Sequence, residues 1–185
     1  MTTSPLYRLV AFDGDETLWT LTSGLNLSDR TPTDAVGWPD FKYERIKESK
    51  DARLVRRDDG ALFTLRPEVP ALLETLKQRG VVTGVISYNH AGNVRRILEA
   101  FGISEFVDYV IAEWHSKKDE MMRRMLDMAR HDGHQLNPAD AILLDDDPYS
   151  IYVHQYKRLG SGFRRVGYDI HDLSEVLSLA HDPSL

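Results

Sequence analysis

Residues 9–17 read LVAFDGDET, an apolar run that passes directly into an acidic loop. Four consecutive apolar residues without polar alternation are typical of a strand that is buried on both faces, as in a parallel sheet covered by helices. Asp13 and Asp15 follow at once, at the carboxyl end of that strand. Open parallel sheets bind their ligands at this position, so the pair is a candidate functional site.

Three further apolar runs, at residues 81–86, 109–112 and 141–144, have the same character. Helical spacing of apolar residues lies between them, and a last strand and helix are predicted after the fourth run. The predicted helices cover residues 69–76, 94–101 with Asn89 as the N-cap, about 116–130, a segment from near Pro148, and 171–179. Alternating strands and helices predict an α/β fold, a parallel sheet sandwiched by helices.

Residues 20–65 interrupt this alternation. The segment is polar, and its clearest element is a predicted hairpin of residues 53–57 and 61–65 around Asp58, Asp59 and Gly60. We therefore predict one domain over residues 1–185 with a small cap-like insertion at 20–65. Its aromatic residues form either a small core, which we favour, or a wall against a substrate; they are Trp38, Phe41 and Tyr43.

Composition excludes several classes of function. The chain has 29 acidic against 23 basic residues, a formal charge of -6, which gives no general attraction to nucleic acid or to an anionic membrane. It has no cysteine, which excludes a thiol nucleophile and thiolate metal sites. No signal sequence or membrane-spanning stretch is apparent, so we expect a cytoplasmic protein.

Polar residues follow all four predicted strands, and strand ends of a parallel sheet meet at one edge. They are residues 13–17 after the first strand, 87–89 after the second, 115–118 after the third and 145–147 after the fourth. Each group alone has an ordinary explanation, such as a turn, a helix cap or a surface lysine. Their agreement at four strand ends favours a single site.

The acidic residues have the chemistry of phosphate ester cleavage. A carboxylate attacks a phosphate ester only if the repulsion between two anions is offset, and Mg²⁺ held by oxygen ligands does this. Asp13 is the predicted nucleophile, and Asp146 shares the metal with it, while Asp145 binds directly or through water. Asp15 is the predicted general acid and base, which protonates the leaving group and then activates water.

The remaining phosphate oxygens need hydrogen-bond donors. Ser87 offers a hydroxyl group and Lys117 a positive charge, and Lys118 is the alternative lysine. Thr17, Tyr88 and Asn89 complete the predicted phosphate and substrate contacts.

These motifs resemble those of the haloacid dehalogenase superfamily in order and strand context: residues 12–18, Ser87, the Lys117 region and residues 143–146. Residues 15–19, 66–70 and 116–117 are most similar to its small magnesium-dependent phosphatases. The resemblance implies a Rossmann-like three-layer α/β/α core with the first strand central. It also implies metal binding by the side chains of Asp13 and Asp146 and by the backbone carbonyl of Asp15.

The implied substrate is a phosphorylated small molecule or a phosphorylated protein side chain. Haloacid dehalogenases proper lack the second aspartate, so Asp15 favours phosphoryl chemistry over carbon–halogen cleavage. Two alternatives remain. One is phosphoryl or acyl group transfer on the same core. The other is a phospho-accepting receiver domain, which the motif order disfavours because the acidic run at 145–147 comes late in the chain.

Overall fold

A computed structural model describes residues 7–23, 41–46, 52–57, 60–147 and 151–179. Its strands are β1 (Leu9–Phe12), β2 (Trp19–Ser23), β3 (Tyr43–Arg45), β4 (Arg53–Arg56), β5 (Leu62–Leu65), β6 (Val82–Ser87), β7 (Tyr109–Ala112), β8 (Ala141–Asp145) and β9 (Gly162–Arg165). Its α-helices are α1 (Val69–Gln78), α2 (Ala91–Phe101), α3 (Lys118–His131) and α4 (Ile151–Leu159).

The central sheet has five strands in the order β7-β6-β1-β8-β9, and every neighbouring pair is parallel. Strand β1 lies in the middle, between β6 and β8, and all of its residues are buried. The four apolar runs of the sequence form β1, β6, β7 and β8, with bounds within one residue of those predicted. The predicted central parallel sheet is confirmed.

Helices cover both faces of this sheet. Val10 and Phe12 of β1 belong to one hydrophobic cluster with the apolar residues of α1 and α2. Leu9 and Ala11 point to the opposite face and belong to a second cluster with α3 and Tyr156 of α4. Side chains of a strand alternate between faces, so β1 contributes to both cores at once. The predicted three-layer α/β/α sandwich is confirmed.

A second sheet, the accessory sheet, is formed by strands between residues 19 and 65; it is antiparallel with the order β2-β5-β4-β3. The predicted hairpin forms β4 and β5; Asp58 and Asp59 lie outside the described residues. Leu54, Phe63 and Leu65 share one hydrophobic cluster with α1 and α2. As predicted for a small core, Phe41 is buried and Tyr43 contacts Phe63 edge-on at 5.4 Å; Trp38 lies outside the described residues.

The last predicted helix, residues 171–179, is wrong in type. The structure has a 3₁₀ helix at Leu173–Leu177, whose N-terminus is held by a capping box between Asp172 and Glu175. Its buried residues, Leu173 and Val176, are three apart, which is the period of a 3₁₀ helix. Helix α4 is described from Ile151, so its predicted start near Pro148 lies outside the described residues.

The N-cap of α2 is His90 rather than the predicted Asn89, whose side chain is engaged elsewhere. Within the described ranges, every helix is too short or too polar to cross a bilayer.

Candidate active site

The site lies where β1, β6 and β8 end and α3 begins. Asp13 follows β1 directly and is buried, and its backbone N–H donates to the carbonyl of Leu144 at 2.8 Å. Asp145 is the last residue of β8 and Ser87 the last of β6, and both are buried. The parallel register of these strands brings all three residues to the same edge of the sheet.

A buried lysine joins two of these carboxylates. The Lys118 ammonium donates to Asp13 Oδ1 at 3.0 Å and to Asp145 Oδ2 at 2.5 Å. Burial alone would lower the pKa of Lys118, but the charges of Asp13 and Asp145 outweigh it and raise the pKa. The hydroxyl of Tyr156, on α4, donates to the backbone carbonyl of Lys118 at 2.9 Å. Lys118 is therefore a fixed cation beside Asp13.

Of the two candidate lysines, the structure places Lys118, the alternative, rather than Lys117 beside Asp13. The side chain of Lys117 is 61% exposed, and its ammonium pairs with Glu120 on the outer face of α3. Successive residues of a helix point about 100° apart, so only one of the two lysines can face the sheet. Lys118 precedes the buried residues Met121, Met122 and Met125 by three, four and seven positions. This helical phase is the sequence signal that identifies Lys118.

Three carboxylates form an acidic cluster in which one oxygen from each of Asp13, Asp145 and Asp146 lies within 4.8 Å of the others. Burial raises the pKa of Asp13 well above its usual range; Lys118 opposes this shift, and Asp145 and Asp15 add to it. Burial, followed by the charge of Asp145, also raises the pKa of Asp146. This cluster, in which Asp13 and Asp145 are buried and Asp146 is half-buried, matches the oxygen ligands of a hard divalent cation.

Thr17 contacts this cluster rather than an open phosphate site. Its hydroxyl donates to Asp146 Oδ1 and accepts from the backbone N–H of Asp146, both at 3.1 Å. The single hydroxyl proton is thus already used, which argues against the predicted phosphate contact. Thr17 is fully buried and fixes the orientation of Asp146.

Asp15 is held by two donors. The indole N–H of Trp19 donates to Asp15 Oδ1 at 2.7 Å, and the amide of Asn89 donates to Asp15 Oδ2 at 3.3 Å. Burial raises the pKa of Asp15, although both hydrogen bonds oppose the shift. A raised pKa keeps a carboxyl protonated closer to neutral pH, as a general acid requires.

The three remaining residues that were predicted to contact the phosphate or the substrate lie in different surroundings. Asn89 is committed to Asp15, and its amide oxygen accepts from the N–H of His90 at 2.7 Å; it thus orients Asp15 instead of making the predicted phosphate contact. Tyr88 is 43% exposed and packs edge-on against Trp114, with ring centroids 5.3 Å apart. Ser87 lies beside the loop of Asp13 at the inner edge of the site. The substrate contacts of Ser87 and Tyr88 stay predictions.

Sequence reasoning missed the residues that shape the acidic loop. Glu16 has a φ of 58°, a left-handed conformation that costs roughly 1–2 kcal/mol in a non-glycine residue. Arg66 donates to the carbonyl of Glu16 at 2.9 Å, and the Glu16 carboxylate accepts from the N–H of Leu21 at 3.1 Å. These bonds hold the turn, and Trp19 packs against it. The sequence marked residues 66–70 only by resemblance, and the contact of Arg66 with Glu16, 50 residues earlier, was not predicted.

Comparisons with solved structures show the same fold. The chain is similar to the N-terminal part of a Bacteroides fragilis protein that contains a phosphatase domain and was solved in complex with Mg, at 16% identity and a TM-score of 0.56; the match covers 94% of this chain and 39% of that one. It is also similar to a HAD-superfamily hydrolase from Ehrlichia chaffeensis, at 14% identity and a TM-score of 0.55, covering 92% and 91% of the two chains.

The match therefore spans well under half of the solved Bacteroides chain but nearly all of the Ehrlichia chain. A search of curated proteins found no match. The family model of the haloacid dehalogenase-like hydrolases matches residues 10–154, which include all of β1 after its first residue, the whole of β8 and the entire acidic cluster. The chain belongs to the haloacid dehalogenase-like hydrolases.

Proposed function

We propose that the protein is a magnesium-dependent phosphatase that hydrolyses a phosphate monoester through an aspartyl phosphate on Asp13. The observation that carries the proposal is the pairing of two carboxyl groups with different surroundings. Asp13 is held by the ammonium of Lys118 inside an acidic cluster, whereas Asp15 is held by the neutral donors Trp19 and Asn89. Two carboxyls in unlike environments suit a nucleophile and a general acid.

In the first step, a carboxylate oxygen of Asp13 attacks phosphorus, and the bond from phosphorus to the ester oxygen breaks. The departing oxygen takes a proton from the Asp15 carboxyl, whose pKa is raised by burial. Lys118 stays charged throughout because its pKa is raised, and it offsets negative charge next to Asp13. The products of this step are the free alcohol and the aspartyl phosphate.

In the second step, the Asp15 carboxylate takes a proton from water, whose oxygen attacks phosphorus. The bond between phosphorus and the Asp13 oxygen then breaks, which restores the Asp13 carboxylate and releases inorganic phosphate. Asp15 regains its proton and is ready for the next cycle. Detection of inorganic phosphate as a product would distinguish hydrolysis from transfer of the phosphoryl group to another acceptor.

The acidic cluster fits Mg²⁺. Magnesium prefers a few carboxylate oxygens and keeps several waters. Lys118 and Thr17 each occupy one oxygen of Asp13 and Asp146, which leaves the second oxygen of each carboxylate for the cation. The backbone carbonyl of Asp15 is the third protein ligand implied by the resemblance. When bound, Mg²⁺ would neutralise charge on the phosphate and favour the ionised form of Asp13.

The substrate class that we propose is a phosphorylated small molecule or a phosphorylated protein side chain. With a net charge of -6, the chain offers an anionic substrate no long-range attraction. Attraction must come from Lys118 and the bound cation, which act only at the phosphate itself. We therefore expect the phosphate group to contribute most of the binding free energy.

The test compares Asp13→Asn with the wild-type protein in hydrolysis of p-nitrophenyl phosphate with Mg²⁺. We expect loss of activity by at least about 10³-fold, because an amide is a far weaker nucleophile than a carboxylate. Asp127→Asn is the matched control, since Asp127 lies on the outer face of α3 and is 63% exposed. Activity that survives in Asp13→Asn, or that needs no divalent cation, would refute the proposal.

A further inference from the structure

The loop between β7 and α3, residues 113–117, carries a chain of hydrogen bonds that ends one residue before Lys118. The backbone N–H of Lys117 donates to Nδ1 of His115 at 3.2 Å. Nε2 of His115 lies 2.7 Å from Oε2 of Glu113. Arg124, on α3, donates to both carboxylate oxygens of Glu113 at 2.5 Å. We call Glu113, His115 and Arg124 the loop clasp.

The clasp fixes the tautomer of His115. Because Nδ1 accepts a hydrogen bond from a backbone N–H, it carries no proton, and Nε2 must carry one and donate it to Glu113. The two ring nitrogens thus have different partners and different functions. Nδ1 accepts from the backbone N–H of Lys117, just before Lys118, and Nε2 donates to the carboxylate of Glu113.

Glu113 is held in place by hydrogen bonds of both its backbone and its side chain. Its backbone N–H donates to the carbonyl of Ser87 at 3.1 Å, which connects it to the end of β6. Its carboxylate is paired with Arg124, which, with His115, lowers the pKa of Glu113 and keeps it ionised. The clasp therefore ties the end of β6, the loop and the side of α3 into one unit.

We infer that His115 is a positioning residue for Lys118, acting through the hydrogen bond from the Lys117 N–H to Nδ1. The inference rests on the proposed function, in which Lys118 must stay on Asp13 and Asp145. Lys118 is the first residue of α3, so the backbone at Lys117 sets where its side chain leaves the helix. Small displacements of a group near the reacting atoms have large effects on rate.

Two substitutions at one position separate the functions of the ring nitrogens. In His115→Asn, the side-chain oxygen replaces Nδ1 as acceptor, but the contact with Glu113 is lost. In His115→Gln, the amide nitrogen replaces Nε2, but the acceptor for the Lys117 N–H is lost. His131→Gln is the matched control, because His131 is an exposed residue at the far end of α3.

The first measurement does not depend on activity. The full-length chain is treated with an amine acetylating reagent, and acetylation of Lys118 relative to Lys117 is read by tandem mass spectrometry. Lys117 is exposed and serves as the internal standard, whereas Lys118 is buried. His115→Gln should raise this ratio about fivefold, the effect of losing one hydrogen bond, while His115→Asn and His131→Gln leave it within about twofold.

The second measurement is hydrolysis of p-nitrophenyl phosphate with Mg²⁺. His115→Gln should lower kcat about tenfold with KM within about twofold, and His115→Asn should keep most of the wild-type kcat. Equal effects of the two substitutions, or an unchanged acetylation ratio in His115→Gln, would overturn the inference. If the wild-type protein shows no hydrolysis, the proposed function fails, and the acetylation ratio still decides whether His115 positions Lys118.

Discussion

Replacing Gly14 with alanine tests how closely the acidic loop packs against Trp19. A Cβ atom at position 14 would lie 2.7 Å from Cζ2 and 3.0 Å from Cη2 of the Trp19 indole, where ordinary contacts begin at 3.4 Å. Gly14 does not have a left-handed φ, so alanine is compatible with its backbone. Any loss of stability must therefore come from the contact with the indole.

The magnitude follows from how little the indole can move. Trp19 has 0% relative exposure and packs against Phe101 with ring centroids 6.3 Å apart, so a retreat of about 0.7 Å pushes it into a filled core. Overpacking of this kind costs roughly 1–3 kcal/mol. Alanine also reduces the conformational entropy of the unfolded chain relative to glycine, and this offsets about 0.4–1 kcal/mol of the loss in stability. We expect a net loss of about 1–2 kcal/mol in the free energy of unfolding.

Gly14→Ala should also lower kcat, by a cause separate from the loss of stability. The displaced indole carries the N–H that donates to Asp15 Oδ1 at 2.7 Å, so Asp15 loses its orientation. General acid–base catalysis contributes about 10²–10⁴-fold, and we expect Gly14→Ala to lose at least about tenfold in kcat. Urea unfolding followed by far-UV circular dichroism gives the stability, and hydrolysis of p-nitrophenyl phosphate gives kcat.

A double variant separates the clash from the hydrogen bond. Phenylalanine lacks the Cζ2 and Cη2 atoms, so in a Trp19→Phe background Gly14→Ala should cost less than about 0.5 kcal/mol, a clear departure from additivity. The lost indole N–H means that kcat stays low in both Trp19→Phe variants. If Gly14→Ala costs the same free energy with tryptophan and with phenylalanine at position 19, the packing argument is refuted.

Three further outcomes are expected. Lys118→Met leaves Asp13 and Asp145 buried without their cation and should cost roughly 3–5 kcal/mol in urea unfolding without metal, whereas Lys117→Met should change stability by less than about 0.5 kcal/mol; equal losses would reject the assignment of Lys118. Thr17→Val removes both hydrogen bonds to Asp146 and should weaken Mg²⁺ binding about 10–100-fold by isothermal titration calorimetry, while Thr17→Ser restores most of it. Mg²⁺ at about 100 times its Kd should raise the free energy of unfolding by about 2.7 kcal/mol relative to protein in EDTA, and no such shift is expected for Asp146→Asn.

The central sheet could be predicted from sequence because its strands are buried on both faces. Residues 9–12 and 109–112 are apolar throughout, and the structure forms β1 and β7 with those bounds. The accessory sheet is different. Its β2 and β3 are short and contain polar residues. Paired residues of β2 and β5 are 39–46 positions apart in sequence, and those of β3 and β4 are 9–13 apart, so a short local pattern does not identify these strands.

The candidate site could be predicted as a set of strand ends but not as a set of contacts. Asp13, Asp145 and Asp146 meet because the register of β1 and β8 requires it. Whether a polar side chain points to a ligand or to a neighbour depends on a rotamer and on residues far away in sequence. Thr17 is hydrogen-bonded to Asp146, 129 residues later, and Asn89 to Asp15, 74 residues earlier. The residue type alone does not predict either of these hydrogen bonds.

The accessory sheet is joined to the acidic loop at its base. Trp19 begins β2 and pairs with Leu65, the last residue of β5, and the N–H of Arg66 then donates to the carbonyl of Leu18 at 3.0 Å. The chain thus enters and leaves the accessory sheet at the same point. There, Trp19 also donates to Asp15, and Arg66 also donates to the carbonyl of Glu16. Because these contacts close the base of the accessory sheet, changes at Trp19, Leu65 or Arg66 should reach the acidic loop directly.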